Sequence, residues 1–225
     1  ADPAIRYSIA QPKSKIDFQN IMDNRKIFIA SLPQGKLGLE KASLLGSLLL
    51  SQLQMTALSR GKTRTPFHVY VDECHHFAPG TQAEMLSGIR KFGVSLVLSH
   101  QYLGQLPQKL KLALMGTAET TIAFRIGAID AATIEPEFDL TNTDFSLCEL
   151  SPFEAYGRTR NHTYRLAMPN CDYPICPRSI ERIRNFTQAQ LATDKKLLDR
   201  KLQKFVNRAY GESTIQTIRN PFFKR

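Results

Sequence analysis

The sequence predicts an α/β protein whose core is a parallel β-sheet covered by helices on both faces. Short apolar segments alternate with longer segments of helical periodicity four times between residues 26 and 138. The short segments are apolar throughout, a pattern typical of strands that are buried on both faces. With 225 residues, of which 42% are hydrophobic, the chain is long enough to enclose such a core.

The first strand and helix of this alternation come before residue 61. Residues 26–32 are an apolar segment that ends at a loop rich in proline and glycine, which predicts a buried strand. Residues 39–60 carry leucines at helical spacing, among them Leu45, Leu49 and Leu53, and they predict a helix. Because further leucines widen the apolar face, we expect this helix to be largely buried.

Three further pairs of strand and helix are predicted in the middle of the chain. Gly93 ends the first of these helices, Pro107 is tolerated in the first turn of the second, and Pro136 breaks the third. The predicted order is strand 67–72, helix 80–92, strand 94–100, helix 104–116, strand 119–126 and helix 128–138.

The last third of the chain has a different character. Residues 152–171 have the pattern of two antiparallel strands around a short turn, with a proline-rich connector after them. Residues 187–210 predict one amphipathic basic helix, whose start is marked by Thr187 and Gln190 at capping-box spacing. We therefore predict a main α/β part at residues 16–150, a small β hairpin with its connector at 151–178, and a basic helix with its tail at 179–225.

The charge balance indicates a polyanionic partner. Thirty Lys and Arg residues against twenty Asp and Glu residues give a net charge of +10 and an isoelectric point near 9.6. Nucleic acid is the commonest partner of such a surface, and an anionic membrane surface is the second candidate. A basic enzyme without either partner is the third.

The number of cysteines and the lengths of the apolar stretches indicate the cellular compartment. Four cysteines are too few for a disulfide scaffold at this length and indicate reducing conditions, and no apolar stretch is long enough for a membrane span or a signal peptide. We therefore expect a cytoplasmic protein. The opening Ala-Asp-Pro-Ala resembles residues added during cloning, and we expect the chain to be a piece of a longer protein.

Two carboxylates, Asp72 and Glu73, stand where the predicted strand at 67–72 ends. In nucleotide hydrolases a carboxylate at this position holds the water shell of Mg²⁺, and a second one polarises the attacking water. Gln101 follows one helix and one strand later, so we expect it at the same edge of the sheet, where it could sense a γ-phosphate. The alternative is a pair of solvated carboxylates at a strand end.

Basic residues outside this edge are candidates for two other roles. Arg90 and Lys91, on the helix between the two strands, could supply positive charge across a subunit interface, or they could be solvated helix residues. The candidates for phosphate contacts are Lys109, Lys111, Lys195, Lys196, Arg200, Lys201, Lys204 and Arg208. The alternative for the C-terminal group is the solvated face of a helix that packs through its leucines.

Cysteine and histidine residues offer two weaker metal sites. Cys74, His75 and His76 follow the carboxylates directly, but adjacent residues at a strand end rarely close a tetrahedron, so a zinc hydrolase is a minor alternative. Cys171 and Cys176 have a spacing that zinc allows, although a second pair is missing. We expect Cys171 and Cys176 to belong to a structural connector.

Three consecutive blocks of the sequence, residues 26–60, 67–107 and 117–138, together resemble the conjugative coupling ATPases of the TraG/TraD type and their HerA/FtsK-like translocase relatives. The resemblance extends over about residues 16–160. It implies a RecA-like P-loop NTPase core, a hexameric ring, and the use of ATP to move DNA through a central pore. The partners it implies are DNA, further copies of the chain, and secretion-machinery or membrane-associated proteins at the inner face of the cell membrane.

The resemblance also assigns residues. Asp72 and Glu73 match the Walker B pair, which implies ATP and Mg²⁺ as cofactors, with Asp72 binding the metal through water and Glu73 activating the attacking water. Gln101 matches the glutamine of the family's third motif, which reads the γ-phosphate. Arg90 resembles the family's arginine finger, with Lys91 beside it as the alternative, and Arg125 matches a recurrent arginine to which we assign no role.

The sequence departs from the family in one respect. A Gly-x-x-x-x-Gly-Lys-Ser/Thr phosphate loop is missing, because the nearest matches at residues 56–63 and 33–38 lack the required first glycine. We therefore expect this chain to bind ATP weakly or not at all, and the ATPase activity to belong to the full-length parent. The alternative is a non-catalytic DNA-binding or protein-docking module on a degenerate motor scaffold.

Overall fold

The computed structural model describes most of the chain in two units. The described residues are Ile5, Ile9, 14–61, 65–77, 79–140, 146–160, 162–169, 173–174 and 176–218. The first unit consists of Phe18–Leu32 and Ala42–Tyr173, and the second of Ala1–Asp17, Pro33–Lys41 and Pro174–Arg225. The domain boundaries expected from the sequence stay predictions.

Between residues 14 and 61 the chain forms helices α1 at Phe18–Asp23, α2 at Gln34–Leu37 and α3 at Leu39–Ser59, which precede the first strand. Helix α3 confirms the long helix predicted from the leucine spacing. Its buried stripe consists of Ala42, Gly46, Leu50, Leu53 and Ala57, whereas Leu44 and Leu48 on the other side are exposed. The helix therefore buries one stripe and is less covered than predicted.

The predicted strand at residues 26–32 is wrong. These residues pair with no strand in the described part of the chain, and Ile27 and Ile29 are 89% and 76% exposed. The ring of Phe28, which lies between them, packs edge-to-face against Phe18 with ring centroids 5.3 Å apart. An extended segment turns alternate side chains to opposite sides, so a contact on one side leaves the two isoleucines in solvent.

The centre of the first unit is a parallel pair of strands, β1 at Phe67–Val71 and β2 at Val94–Leu98. The connection between them contains a short 3₁₀ helix at Cys74–His76, helix α4 at Pro79–Gly88 and a second 3₁₀ turn at Ile89–Phe92. This strand–helix–strand order was predicted. Burial on both faces was not confirmed, because Tyr70 and its register partner Val97 share one face and are 75% and 45% exposed.

A buried arginine anchors the other end of these strands. The guanidinium of Arg60, just after α3, pairs with the Asp23 carboxylate at 2.9 Å. It also donates hydrogen bonds to the carbonyls of Thr65 at 2.6 Å and Phe92 at 3.1 Å, which precede β1 and β2. A buried charge is tolerated when it is paired and fully hydrogen-bonded, and these partners tie α1 and α3 to both strands.

The strand predicted at residues 119–126 does not join the parallel pair. Helix α5 at Gln108–Thr117 leads into strand β3 at Thr120–Ala123, which pairs antiparallel with β4 at Glu154–Thr159. Strand β5 at His162–Ala167 completes this sheet and confirms the predicted hairpin. The prediction that residues 119–126 add a further parallel strand is therefore wrong, because β3 pairs with the open edge of the hairpin.

Helix α6 at Ala128–Ile134 follows β3 and passes into a 3₁₀ turn at Glu135–Phe138, where Pro136 ends the helix as predicted. The fully buried side chains of the first unit include Met22, Met85, Leu110, Phe138, Leu147 and Leu150. The described chain is therefore a mixed α/β protein with a small parallel sheet and a separate antiparallel sheet.

The C-terminal segment of the second unit forms helices α7 at Pro177–Leu191 and α8 at Lys195–Ile218. The single helix predicted at residues 187–210 is wrong, because the chain is extended at Ala192 and the Asp194 carboxylate accepts a hydrogen bond from the Leu197 amide at 3.1 Å. Asp194 therefore caps the start of α8. Thr187 lies inside α7 and caps nothing. Among the described helices, none is long and apolar enough to cross a membrane.

Candidate functional site

The carboxyl ends of β1 and β2 continue side by side into polar residues. The Ser99 amide donates to the Val71 carbonyl at 3.1 Å, and the Cys74 amide donates to the Ser99 carbonyl at 2.9 Å. These two bonds extend the parallel pairing beyond the last residues of both strands. The side chains that follow are thereby brought to one edge of the sheet, where ligands bind in open α/β sheets.

Two side-chain hydrogen bonds cross this edge. Ser99 Oγ donates to Asp72 Oδ1 at 2.6 Å, and Gln101 Nε2 donates to Glu73 Oε1 at 2.7 Å. The structure thus brings together Asp72, Glu73 and Gln101, three of the residues singled out in the sequence. The catalytic roles given to them stay predictions. Ser99 lies near the end of the predicted strand at 94–100, and the sequence alone did not indicate its contact with Asp72.

The backbone of Glu73 has an unusual conformation. Its φ of 48° and ψ of 49° lie in the left-handed region, which a side chain with a Cβ occupies at a cost of about 1 kcal/mol or more. This turn directs the chain from β1 into the 3₁₀ helix at Cys74–His76, and the His76 amide donates to the Glu73 carbonyl at 3.1 Å. Such strain often occurs at binding and catalytic sites.

A buried glutamine holds the turn that follows. Gln82 on α4 has no exposed surface, and its Nε2 donates to the Cys74 carbonyl at 2.7 Å and to the Phe77 carbonyl. Ser43 on α3 donates to the His76 carbonyl at 2.5 Å. The turn is therefore pinned from two helices. Sequence reasoning missed Gln82, since a polar residue in a helix pattern gives no sign of which backbone it contacts.

The thiol of Cys74 takes no part in the polar edge. Cys74 is fully buried, and burial raises the pKa of its thiol to about 11. The suggested Cys74–His75–His76 zinc site is wrong in its first ligand, because among the described residues the ligand atoms that converge belong to Glu73, His75 and His76.

Arg90 lies away from the carboxylates. It belongs to the 3₁₀ turn before β2, is 82% exposed on its side chain, and pairs with Glu119 at 3.2 Å. A five-residue strand rises by roughly 16 Å, so Arg90 and Asp72 lie at opposite ends of the parallel pair. Lys91 Nζ lies 5.4 Å from the centroid of the Phe92 ring, at the same end as Arg90.

The basic residues proposed for DNA contacts fall into both units. On α5, Lys109 is exposed and pairs with Glu84 at 3.6 Å, whereas Lys111 is half-buried. On α8, the buried Leu198 and Leu202 form the packing side. The basic residues of α8 are all exposed: Lys195, Lys196, Arg200, Lys201, Lys204 and Arg208.

The second suggested cysteine pair is only partly visible, because Cys171 lies outside the described residues. Cys176 is exposed just before α7. The Ser179 hydroxyl and neighbouring backbone amides lower the pKa of its thiol. A zinc site at this pair stays untested by the structure.

Comparisons with known proteins give distant structural similarities. No protein-family model matches the sequence, and no curated protein matches it. The bacterial conjugative coupling protein TrwB is similar over 56% of this chain and 36% of its own, at 13% identity and a TM-score of 0.45. The plasmid coupling protein TrwB in complex with a non-hydrolysable GTP analogue is similar over 62% and 38%, at 15% identity and a TM-score of 0.47.

The genome packaging NTPase B204 of Sulfolobus turreted icosahedral virus 2, in complex with ATP-γ-S, is similar over 71% of this chain and 75% of its own. The identity is 14% and the TM-score is 0.43. The chain thus spans just over a third of the TrwB structures. Similarity at this level carries no argument about activity.

Proposed function

We propose that this chain is the C-terminal part of an ATP-driven DNA translocase of the coupling-protein type, which acts in conjugative or type IV secretion-like DNA transfer. The observation that supports the proposal is the convergence of Asp72, Glu73 and Gln101 at the carboxyl edge of a parallel strand pair, with the Gln101 amide 2.7 Å from Glu73 Oε1. A carboxylate pair opposite a glutamine is the arrangement that nucleotide hydrolysis uses to hold metal and water.

Each residue has a role that fits its surroundings. Asp72 is exposed and accepts a hydrogen bond from Ser99, so its carboxylate suits a Mg²⁺ ion that keeps most of its own water. Glu73 is half-buried and positioned by Gln101, as a base that orients one water molecule requires. Bound Mg²⁺ would neutralise charge on the phosphates. Gln101 would sense the γ-phosphate by exchanging its hydrogen bond to Glu73 for one to the phosphate.

Arg90 would act on the site of a neighbouring subunit. Its position at the opposite end of the strands keeps it from the carboxylates of its own chain. In a ring of identical chains, the Arg90 end of one subunit would face the carboxylate end of its neighbour. The test is to mix two inactive variants, Arg90→Ala and Glu73→Gln, in one ring. Hydrolysis should return in part, because some interfaces then combine an intact Glu73 with an intact Arg90. No recovery would contradict the assignment in trans.

The exposed lysines of α5 and α8 would contact DNA phosphates without reading sequence. Contacts of this kind make affinity fall steeply with salt concentration. Replacing Lys201 or Lys204 with alanine should lower the salt slope of DNA binding by about 1 each, with little dependence on the DNA sequence. An unchanged slope would assign these lysines to the solvated face of a packed helix.

The decisive experiment measures DNA-stimulated ATP hydrolysis in the chain extended upstream through a phosphate loop. Glu73→Gln should reduce turnover by about 10²- to 10⁴-fold, the usual contribution of a general base. The matched control is Glu181→Gln, at an exposed position on α7, and it should leave turnover unchanged. If Glu73→Gln behaves like the control, the carboxylates are not catalytic, and the non-catalytic DNA-binding or docking module replaces the motor.

A further inference from the structure

A second polar cluster adjoins the carboxylate edge. One ligand atom each from Glu73, His75 and His76 lies within 4.8 Å of the others. The Nδ1 atom of His75 is 3.5 Å from Glu73 Oε2, and the imidazole rings of His75 and His76 are inclined at 45° with centroids 3.8 Å apart. The left-handed backbone of Glu73 and the tight 3₁₀ turn after it make this convergence possible for residues so close in sequence.

Two atoms of this cluster have unmet hydrogen-bonding capacity. Glu73 Oε2 and His75 Nδ1 are shielded from solvent and have no hydrogen-bond partner among the described residues. A buried polar atom without a partner costs about 1–3 kcal/mol. A cation that both atoms could coordinate would remove this cost.

We infer that Glu73, His75 and His76 form a binding site for a divalent transition-metal ion of the Zn²⁺ type. Two imidazoles and one carboxylate are a ligand set that Zn²⁺, Co²⁺ and Ni²⁺ prefer, whereas Mg²⁺ and Ca²⁺ prefer oxygen ligands. Three protein ligands leave one position for water or a substrate oxygen.

The spacing of the ligand atoms suits such an ion. Bonds of about 2.0–2.1 Å at tetrahedral angles place neighbouring ligand atoms about 3.3 Å apart. The pair formed by Glu73 Oε2 and His75 Nδ1 is already at 3.5 Å. Since all three atoms lie within 4.8 Å of one another, the third ligand atom must approach the other two by at most about 1.5 Å, which a side-chain rotation supplies.

The backbone under the three ligands is held in place. The carbonyl of His76 accepts the hydrogen bond from Ser43, and Gln82 binds the carbonyls on either side of the two histidines. These hydrogen bonds fix the backbone from which the two imidazoles project. The site differs from the magnesium position proposed at Asp72, and it shares only Glu73 with the hydrolysis machinery.

This shared carboxylate has a consequence that depends on the proposed function. An ion on Glu73 Oε2 would withdraw the carboxylate from the attacking water and would inhibit hydrolysis. Metal binding itself depends on no nucleotide and no DNA, so the two proposals can fail separately.

The test is a titration of the metal-free full chain with Co²⁺, followed by visible absorption, and with Zn²⁺, followed by calorimetry. We expect one equivalent of metal, the absorption of a four-coordinate cobalt ion, and no thiolate-to-cobalt band. His75→Ala and His76→Ala should each weaken binding more than tenfold. His162→Ala, at an exposed position on β5, is the matched control and should leave binding unchanged.

Circular dichroism of every variant shows whether it is folded, and His75→Gln and His76→Gln replace any alanine variant that is not. Binding that survives loss of both histidines would overturn the site. A thiolate-to-cobalt band would do the same, since it would assign the metal to cysteine. Failure to bind Co²⁺ or Zn²⁺ at all would also overturn it.

Discussion

Replacing Gln82 with leucine tests whether one buried amide holds the turn that carries the candidate site. Leucine is similar in size but cannot donate, so the Phe77 and Cys74 carbonyls lose the hydrogen bonds that they accept from Gln82. The two losses are unequal. The Cys74 carbonyl still accepts from the Phe77 amide at 3.1 Å, whereas no second donor to the Phe77 carbonyl is present among the described residues.

The expected magnitude follows from these partners. An orphaned buried carbonyl at Phe77 costs about 1–3 kcal/mol, and the weakened Cys74 carbonyl costs about 1 kcal/mol. Leucine also removes the Gln82 Oε1 atom, which is itself buried without a partner, and this offsets about 1 kcal/mol. We therefore expect Gln82→Leu to lower the free energy of unfolding by about 1–3 kcal/mol.

The assay is equilibrium denaturation in urea followed by far-ultraviolet circular dichroism, since the chain contains no tryptophan. Gln52→Leu is the matched control, because Gln52 lies on an exposed side of α3 and the same change there should stay within about 0.5 kcal/mol. If Gln82→Leu is as stable as this control, the two hydrogen bonds do not hold the turn, and the reasoning is refuted.

Two further changes probe the same region. Gly46→Ala places a Cβ 2.6 Å from Phe77 Cε1 and closer still to Cδ1, so it should lower the free energy of unfolding by about 1–3 kcal/mol. The control Gly116→Ala, on α5 with open space around it, should raise the free energy of unfolding by up to about 1 kcal/mol. Equal midpoints of the two variants in thermal denaturation would contradict the clash. Because the pKa of Cys74 is raised from 9.0 to about 11 by burial, the unfolded chain releases this proton first. The free energy of unfolding should therefore fall as the pH rises from 9 towards 11, and Cys74→Ala should remove that part of the slope in urea titrations.

The sequence by itself determined the central strand–helix–strand unit and the residues at its polar edge. Apolar runs of strand length, separated by one helix, predict a parallel pair, and a parallel pair places its carboxyl ends together. That argument brought Asp72, Glu73 and Gln101 to one edge without any structure. It worked because the connection is a single short crossover, for which local pattern and topology agree.

Pairing between distant segments was decided only by the tertiary structure. The apolar pattern of β3 is equally compatible with a parallel or an antiparallel neighbour, and the edge of the hairpin at β4 decided the outcome. The segment at residues 26–32 has the composition of a strand, yet no described strand pairs with it. Composition records the tendency of a segment to be extended, and the partner is set by contacts far away in sequence.

The side-chain arrangement at the candidate site was also decided by the tertiary structure. The left-handed Glu73, the close imidazoles of His75 and His76, and the buried amide of Gln82 arise from how one turn fits between α3, α4 and the end of β1. Adjacent residues in an extended strand would have pointed apart. Side-chain convergence depends on backbone dihedral angles that no residue pattern specifies, and only the packed turn brings these groups within reach of one another.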